Sequence, residues 1–597
     1  MSESISNERL SKRNLWGYSM GGIGRDMAYQ LVNTYLLTFI TFTKGLSNTE
    51  FAMVGVIMVI CRIFDGCNDP FMGSVIEITR TKIGKFKPWI LAGVFTNVAV
   101  IVALFCVPLR GTSYLIFFAF GYLLWGMTYT MNDISYWGML PSLTSNPGDR
   151  NNLTTLANIG AGIGAGLSVL AIPSLTQGNL AIASNASKSY AIVSIIVCIV
   201  FFVCQIMTVF VVKEKPLPKV RVDDGEKRSL KDMFKVIFKN DQLKPVMASM
   251  LLYNIGSCIT MALASYWIYY RFAYQGLLVT LFTVISGVST LVIVFFPMMC
   301  KKHSRRWISK LSMIMIIVGY LLMFVISLTT GINPDADKVG FKIGEVLIPV
   351  TFIFTGLTGT CAFFGQTLFY QVLTISVANT VEYNEYTTGM RDEGVIFACR
   401  PFTAKLGSAA VVGITTLVVL ALGLNPTNKA ISNADYEAGQ LAVQVEQLVK
   451  DETPNFDSLS KEEQTKLIEA KKKSIETENV AKIENIIHTN EDTKVAKWQY
   501  QTMFAFMTLL PLVILLGSFA IYFKKYNISE ERYDEICAEI AKRKLAVADN
   551  EEVVLDGADA NELENDLASS DAETPDEIFE QEAAADKISK APDEVEK

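Results

Sequence analysis

Twelve long apolar runs restrict this chain more than any other feature. A spanning α-helix needs about 20 mostly apolar residues. Runs of that kind cover 15–43, 48–78, 88–108, 113–140, 152–175, 189–212, 243–271, 276–300, 307–330, 345–378, 393–424 and 500–523. Composition agrees: the chain is 51% apolar and 19% charged, against about 45–50% and about 25% in an ordinary globular domain. The expectation is an all-α membrane protein with twelve transmembrane helices in two six-helix halves. The first run follows a polar stretch, is too long and lacks a small-residue cleavage site, so it does not read as a cleavable signal peptide. The runs at 48–78, 113–140, 345–378 and 393–424 also contain polar residues. Those are costly in a bilayer unless they face protein or water, which suggests an aqueous pathway.

Charge sets the orientation. Residues 551–597 carry a net −14 while the whole chain carries −6, so the body is mildly basic and the acidity belongs to the tail. Arg80, Lys82, Lys85 and Lys87 follow the second run, Lys213 to Arg228 the sixth, and Lys301, Lys302, Arg305 and Arg306 the eighth. The alternate short loops carry only Lys44, Arg110 and Lys188. Basic loops mark the cytoplasmic side, so both termini are expected there. The resulting division is a first half at 1–212, a cytoplasmic central loop at 213–240, helices 7–11 at 241–424, an extracellular polar insert at 425–498, helix 12 at 499–524 and a mostly disordered acidic tail at 525–597. Within the insert, Ser460 and Glu463 have capping-box spacing ahead of a run of helix formers. Most of the 10 cysteines sit in apolar runs without metal or disulfide spacing, and there are only 2 histidines.

The strongest chemical signal is Arg62-Ile-Phe-Asp65-Gly-Cys-Asn68-Asp69 in the second run. Positions i, i+3 and i+4 share one helix face, so Asp65, Asn68 and Asp69 project together. Two carboxylates on one turn repel unless a cation or proton lies between them. Cation binding is favoured over a structural ion pair with Arg62. In the fourth run, Tyr129, Thr130, Asp133 and Trp137 fall on neighbouring turns and offer oxygens to a cation and a ring to a ligand. Taken alone, Trp137 reads as packing or interface anchoring ahead of a sugar platform. Hard cations prefer such oxygen ligands, and nothing suggests zinc or copper. In the first run, Gly21-Gly-Ile-Gly lacks the context of a phosphate loop and fits close helix contact instead. Asp26 beside Arg25 can accept sugar hydroxyls or pair with a base. Arg400 and Lys405 bring positive charge into the eleventh run. For Arg400 structural pairing and ligand contact stay open; for Lys405 a functional role is favoured.

These stretches, together with RIFDGCNDPFMGSVIEITRTKIGKFKPW at 62–89, LWGMTYTMNDISYW at 124–137 and the segment containing Glu382, Glu385 and Lys405, resemble the glycoside–pentoside–hexuronide:cation symporters. That family is the melibiose-permease-like branch of the major facilitator superfamily. The resemblance implies that Asp65, Asn68, Asp69, Thr130 and Asp133 bind the coupling cation, with Na+ placed at Asp65 and Asp69. It implies that Asp26, Asp133 and Trp137 bind sugar, with Tyr129 nearby and Lys405 as the base between the halves. Arg80, Lys85, Lys87, Glu382 and Glu385 match cytoplasmic gate positions. There are departures: the family's sugar-site arginine on helix 5 falls on Asn158, an acidic gate position falls on Asn379, and the insert is not a usual family feature. Arg400 is expected to substitute in part for the missing arginine.

The function expected is secondary active import of a glycoside, pentoside or hexuronide with a monovalent cation, Na+ favoured over H+, by alternating access. The alternatives are a lysolipid or other amphiphile transporter on the same scaffold, and a non-transporting sugar sensor. No cofactor is expected beyond the coupling ion. The partners expected are sugar, cation and lipid bilayer, with no nucleic acid and a functional monomer in a bacterial cytoplasmic membrane. No nucleophile–base constellation, metal motif or nucleotide loop suggests an enzyme.

Overall fold

The computed structural model describes residues 10–144, 147–214, 239–272, 274–330, 338–343, 346–390 and 392–543. The basic central loop and the acidic end of the tail therefore lie largely outside the described residues.

The apolar runs fold as helices: α1 Lys12–Thr43, α2 Asn48–Ile78, α3 Lys87–Cys106, α4 Gly111–Leu143, α5 Pro147–Thr176 and α6 Ala186–Val211. A second series follows as α7 Leu243–Arg271, α8 Gly276–Lys302, α9 Arg305–Thr330, α10 Val350–Thr388 and α11 Glu393–Ala421. The insert folds as α12 Asn425–Val443, α13 Val445–Glu452 and α14 Lys461–His488, and α15 spans Lys497–Lys525. Residues 530–543 form a further helix, α16. Ten of these, α3–α11 and α15, are long and apolar enough to cross a membrane. α1 and α2 match them in length at 32 and 31 residues, but carry the charged groups described below.

Local chemistry explains the ends. Ser47 and Glu50 cap α2 reciprocally, and Ser460 and Glu463 do the same for α14, each pair satisfying backbone N–H groups that the first turn leaves open. Gly389 ends α10 with a left-handed φ of 74°, a conformation glycine takes without Cβ cost. Two details depart from the sequence reading. α8 is not continuous: Ser289–Phe295 tightens to a 3-10 helix before Pro297, whose missing N–H breaks the regular ladder. Residues 346–349, read as the start of the tenth span, form a strand paired antiparallel with 340–343. The Val-Leu-Ile sequence suits a strand, and Pro349 sits at the N-cap of α10.

α1 packs against α5 and α6, and α4 against α2 and α3; α7 packs against α11 and α15, and α9 against α10 and α15. These are two groups of six, joined chiefly through α2 with α11 and α5 with α8. Glycines permit the close approaches. A Cβ on Gly24 would lie 2.6 Å from Phe201 Cα, and one on Gly164 2.0 Å from Ile23 O. The glycine run of α1 thus serves helix contact. Polar groups buried inside the first group are tied to one another: Gln205 donates to Gly21 O at 2.9 Å, and Asn132 to Ile90 O at 3.2 Å. The loops at 44–47, 107–110 and 177–185 and residues 274–275 lie at the end of the bundle that carries the insert.

Candidate transport site

Three helices bring the acidic groups together. On α2, Asp65 and Asp69 are one turn apart. Thr130 of α4 donates to Asp65 Oδ1 at 2.7 Å and to Asp69 Oδ1 at 3.3 Å. From the other six-helix group, Lys405 of α11 places Nζ 3.0 Å from Asp65 Oδ2 and 2.5 Å from Asp69 Oδ2. One ammonium therefore bridges both carboxylates and joins the two groups. Asn68 is buried, and its Nδ2 has no hydrogen-bond partner among the described residues. Arg62 does not neutralise the pair through its hydrogen bonds: it donates to Asn33 Oδ1 at 2.5 Å and to Ser408 Oγ at 2.6 Å. Like Lys405, it ties α2 to α11.

One turn along α4 lies a second cluster. Arg25 of α1 is buried, with Nη2 2.6 Å from Asp26 Oδ2 and Nη1 3.0 Å from Asp133 Oδ1. Its guanidinium also lies over the rings of Tyr136 and Trp137, 4.7 and 4.8 Å from their centres. Charge and ring faces both compensate its removal from water. The rings of Tyr18 and Tyr136 stack at 4.4 Å. Each hydroxyl donates to the other residue's carbonyl, at 2.8 and 2.7 Å. This double lock fixes α1 against α4 and hence Asp26 against Asp133. Tyr129 packs 5.1 Å from Tyr29 and 5.8 Å from Trp125, ring centre to ring centre, forming an aromatic wall beside both clusters. Asp133 stays partly open, with about a third of its side chain exposed at 35%.

Other predicted positions stand apart. Asn158 is exposed on α5. Arg400 donates to Tyr370 Oη at 3.0 Å and lies over that ring, so in this conformation it faces a tyrosine of its own group. Asn379 is buried against Tyr526 Oη at 3.4 Å. Arg80 donates to Thr79 O, Lys85 N to Glu214 Oε2 at 3.2 Å and Lys87 Nζ to Val212 O at 2.6 Å, placing all three at the bundle end away from the insert. Glu382 and Glu385 are half-buried near the C-terminus of α10.

Arg25 is the main residue of these clusters that the sequence reading left unassigned. A signal existed: a cation inside a spanning run needs a counter-charge, and Asp133 is the acidic residue of the fourth run. Asn33 was also missed, although Asp26, Tyr29 and Asn33 follow i, i+3, i+7 spacing and share a face of α1.

Two six-helix groups, half-buried carboxylates between their helices and a lysine joining the groups define a polytopic helical bundle with a charged centre. Residues 17–442 match the family described as MFS/sugar transport protein. The chain belongs to that family, in its glycoside–pentoside–hexuronide:cation symporter branch, whose members are multi-pass cell-membrane transporters and not enzymes. It is 26% identical to the raffinose carrier protein of Pediococcus pentosaceus over 71% of this chain and 64% of that one. It is 25% identical to the lactose permease of Lactobacillus helveticus over 70% of this chain and 65% of that one. For the isoprimeverose transporter of Lactiplantibacillus pentosus the identity is 27%, over 68% and 80%. The matched region thus spans a little under two thirds of the raffinose and lactose proteins.

Proposed function

We propose that the chain imports a glycoside, pentoside or hexuronide with a monovalent cation, Na+ favoured over H+. Twelve spans, with α1 and α2 counted among them, would carry it through the cell membrane with both termini inside. The observation that carries the reading is the Lys405 ammonium held between Asp65 and Asp69. A tethered cation occupies the position a travelling one would take. An arriving Na+ would replace its charge, with Thr130 adding a neutral oxygen of the kind a hard cation prefers. Displacing Lys405 loosens the bridge between the six-helix groups. Because Thr130 and Asp133 lie one turn apart on α4, ordering the cation cluster also orders the acceptors of the second cluster.

In this reading Asp26 and Asp133 accept sugar hydroxyls, Arg25 holds both carboxylates in place, and Trp137 offers a face to the ring. Cation and sugar then raise each other's affinity by the same factor, as linkage requires. The groups rock about this site to expose it alternately to the two sides. One charge falling through 100 mV releases about 2.3 kcal/mol, enough for roughly 40-fold accumulation at about 1.4 kcal/mol per tenfold.

The test is uptake of a panel of radiolabelled glycosides, pentosides and hexuronides into proteoliposomes. Na+ and proton gradients are imposed separately. Accumulation of at least one sugar under an Na+ gradient is expected. Accumulation that ignores both gradients would remove the coupling mechanism.

A further inference from the structure

The insert is built onto one six-helix group but fastened to the other. α12 follows α11 after Leu422–Leu424 and the insert returns to the chain at α15, so both of its covalent ends are tied to the second group, while α12 packs on α1 and α6 of the first. Its polar contacts reach all three loops of the first group at that end. Asp435 accepts from Ala186 N at 2.5 Å and Ser187 N at 3.1 Å, the opening N–H groups of α6, which have no partner within their own helix. Asn185 donates to Asp435 O at 3.0 Å. Arg110, between α3 and α4, donates to Ser432 O at 3.0 Å and to Asn433 Oδ1 at 3.0 Å, and lies over the Tyr436 ring. Asn425 donates to Leu46 O at 3.1 Å, between α1 and α2.

The joint has an apolar part, where α12 packs on α1 with Ile431 and Ala434 in the core, and a polar part that borders open space. Asp435 and Asn185 are buried, yet two clefts of about 280 and 270 Å³ both border these two residues. The polar ridge lies between these clefts, so water can take over its hydrogen bonds as it parts. Beneath it the two groups touch directly. Thr41 meets Tyr266 Oη at 3.0 Å, Ser174 meets Thr280 at 2.8 Å, and Gly276 N donates to Gln177 O at 3.3 Å. This end is closed, and opening it must pull Asp435 from α6 and Arg110 from Ser432.

We propose that the insert is an external latch, with Asp435 and Arg110 as positioning residues that set the closed-to-open balance of the insert end during transport. The proposal rests on the alternating-access reading. Neither residue belongs to the sugar or cation clusters; both act by holding the groups together. A weaker latch raises the fraction of carriers open on that side, and the apparent KM for external sugar falls as that fraction rises.

The experiment uses the full chain with its native cysteines replaced and spin labels at Ser113→Cys and Lys342→Cys, one on each group. Distances are read by double electron–electron resonance in nanodiscs, and lactose and raffinose uptake in proteoliposomes. Asp435→Ala and Arg110→Gln, made on opposite sides of the joint, should each shift the closed-to-open ratio about tenfold. That corresponds to about 1.4 kcal/mol, and the external KM should fall. Asp435→Asn, which keeps one acceptor oxygen without the buried charge, should stay at least as closed as the parent, so that the loss in Asp435→Ala is assigned to the missing acceptor. Distances and KM unchanged in both Asp435→Ala and Arg110→Gln would overturn the latch. Absence of uptake by the parent protein of every sugar in the panel above would defeat the transport reading, while the distance measurement would still decide the latch.

Discussion

Replacing Lys405 with Met removes the ammonium and keeps the length of the stem. At an effective dielectric of about 20, a unit charge pair near 3 Å interacts by about 5.5 kcal/mol. Desolvation and side-chain ordering offset most of that. Buried pairs cost about 3–5 kcal/mol to break and exposed pairs contribute about 0.2–1. The side chains of Lys405, Asp65 and Asp69 are 26%, 23% and 35% exposed, so an intermediate value of about 2 kcal/mol is appropriate. If Na+ must displace Lys405, deletion of the ammonium tightens Na+ binding by about 30-fold. The assay is ²²Na⁺ binding to the purified protein at pH 8, where proton competition is low. The same variant should fail to accumulate sugar yet retain exchange. With Na+ bound, the carboxylate pair is still partly neutralised and the loaded carrier can turn. Empty, it holds two uncompensated charges that oppose the return step. Na+ affinity equal to or below that of the parent, or normal accumulation, would refute the competition.

Asp65→Cys and Asp69→Cys should each abolish Na+-stimulated uptake while membrane insertion, followed by surface labelling, stays normal. Arg25→Met leaves Asp26 and Asp133 facing each other without a cation; thermal unfolding should show a loss of about 3 kcal/mol and sugar binding should disappear, with Arg25→Lys restoring part of both. Gly276→Ala places a Cβ 1.9 Å from Pro173 O, so the spin-label distance at the insert end should lengthen even though the latch residues are intact. Acid should tighten the latch. Burial raises the Asp435 carboxyl to about 6 when docked, from an ordinary 3.8, against the opposing pull of the Ala186 and Ser187 N–H groups and then of Arg110 and Lys44; Lys188, Tyr274, Lys473, Glu476 and Glu484 also border its two clefts. A raised value in the docked state means that docking takes up a proton, so docking strengthens as pH falls through about 6 and the gain saturates near 4. Between pH 7 and 5 the closed-to-open ratio should rise by about ninefold; a slope that survives in Asp435→Asn would assign the effect to another group.

Periodicity and charge determined much of this protein. Apolar runs of spanning length force helices, because a bilayer leaves backbone groups no other partner, and the i, i+4 spacing of Asp65 and Asp69 placed both carboxylates on one face before any contact was known. Ser460 with Glu463 marked the start of α14 for the same local reason. Partner choice was settled only in three dimensions. Arg62 stands beside Asp65 in sequence yet bonds to Asn33 and Ser408, while the cation on Asp65 comes from Lys405, 340 positions later. Arg25 was available to either carboxylate cluster until the paired Tyr18 and Tyr136 hydrogen bonds set α1 against α4 and delivered it to Asp133. The seating of Asp435 on α6, across 249 positions, was equally invisible. Local pattern specifies which face of a helix is polar; which other helix meets that face depends on packing among distant segments, and that information exists only once the bundle has closed.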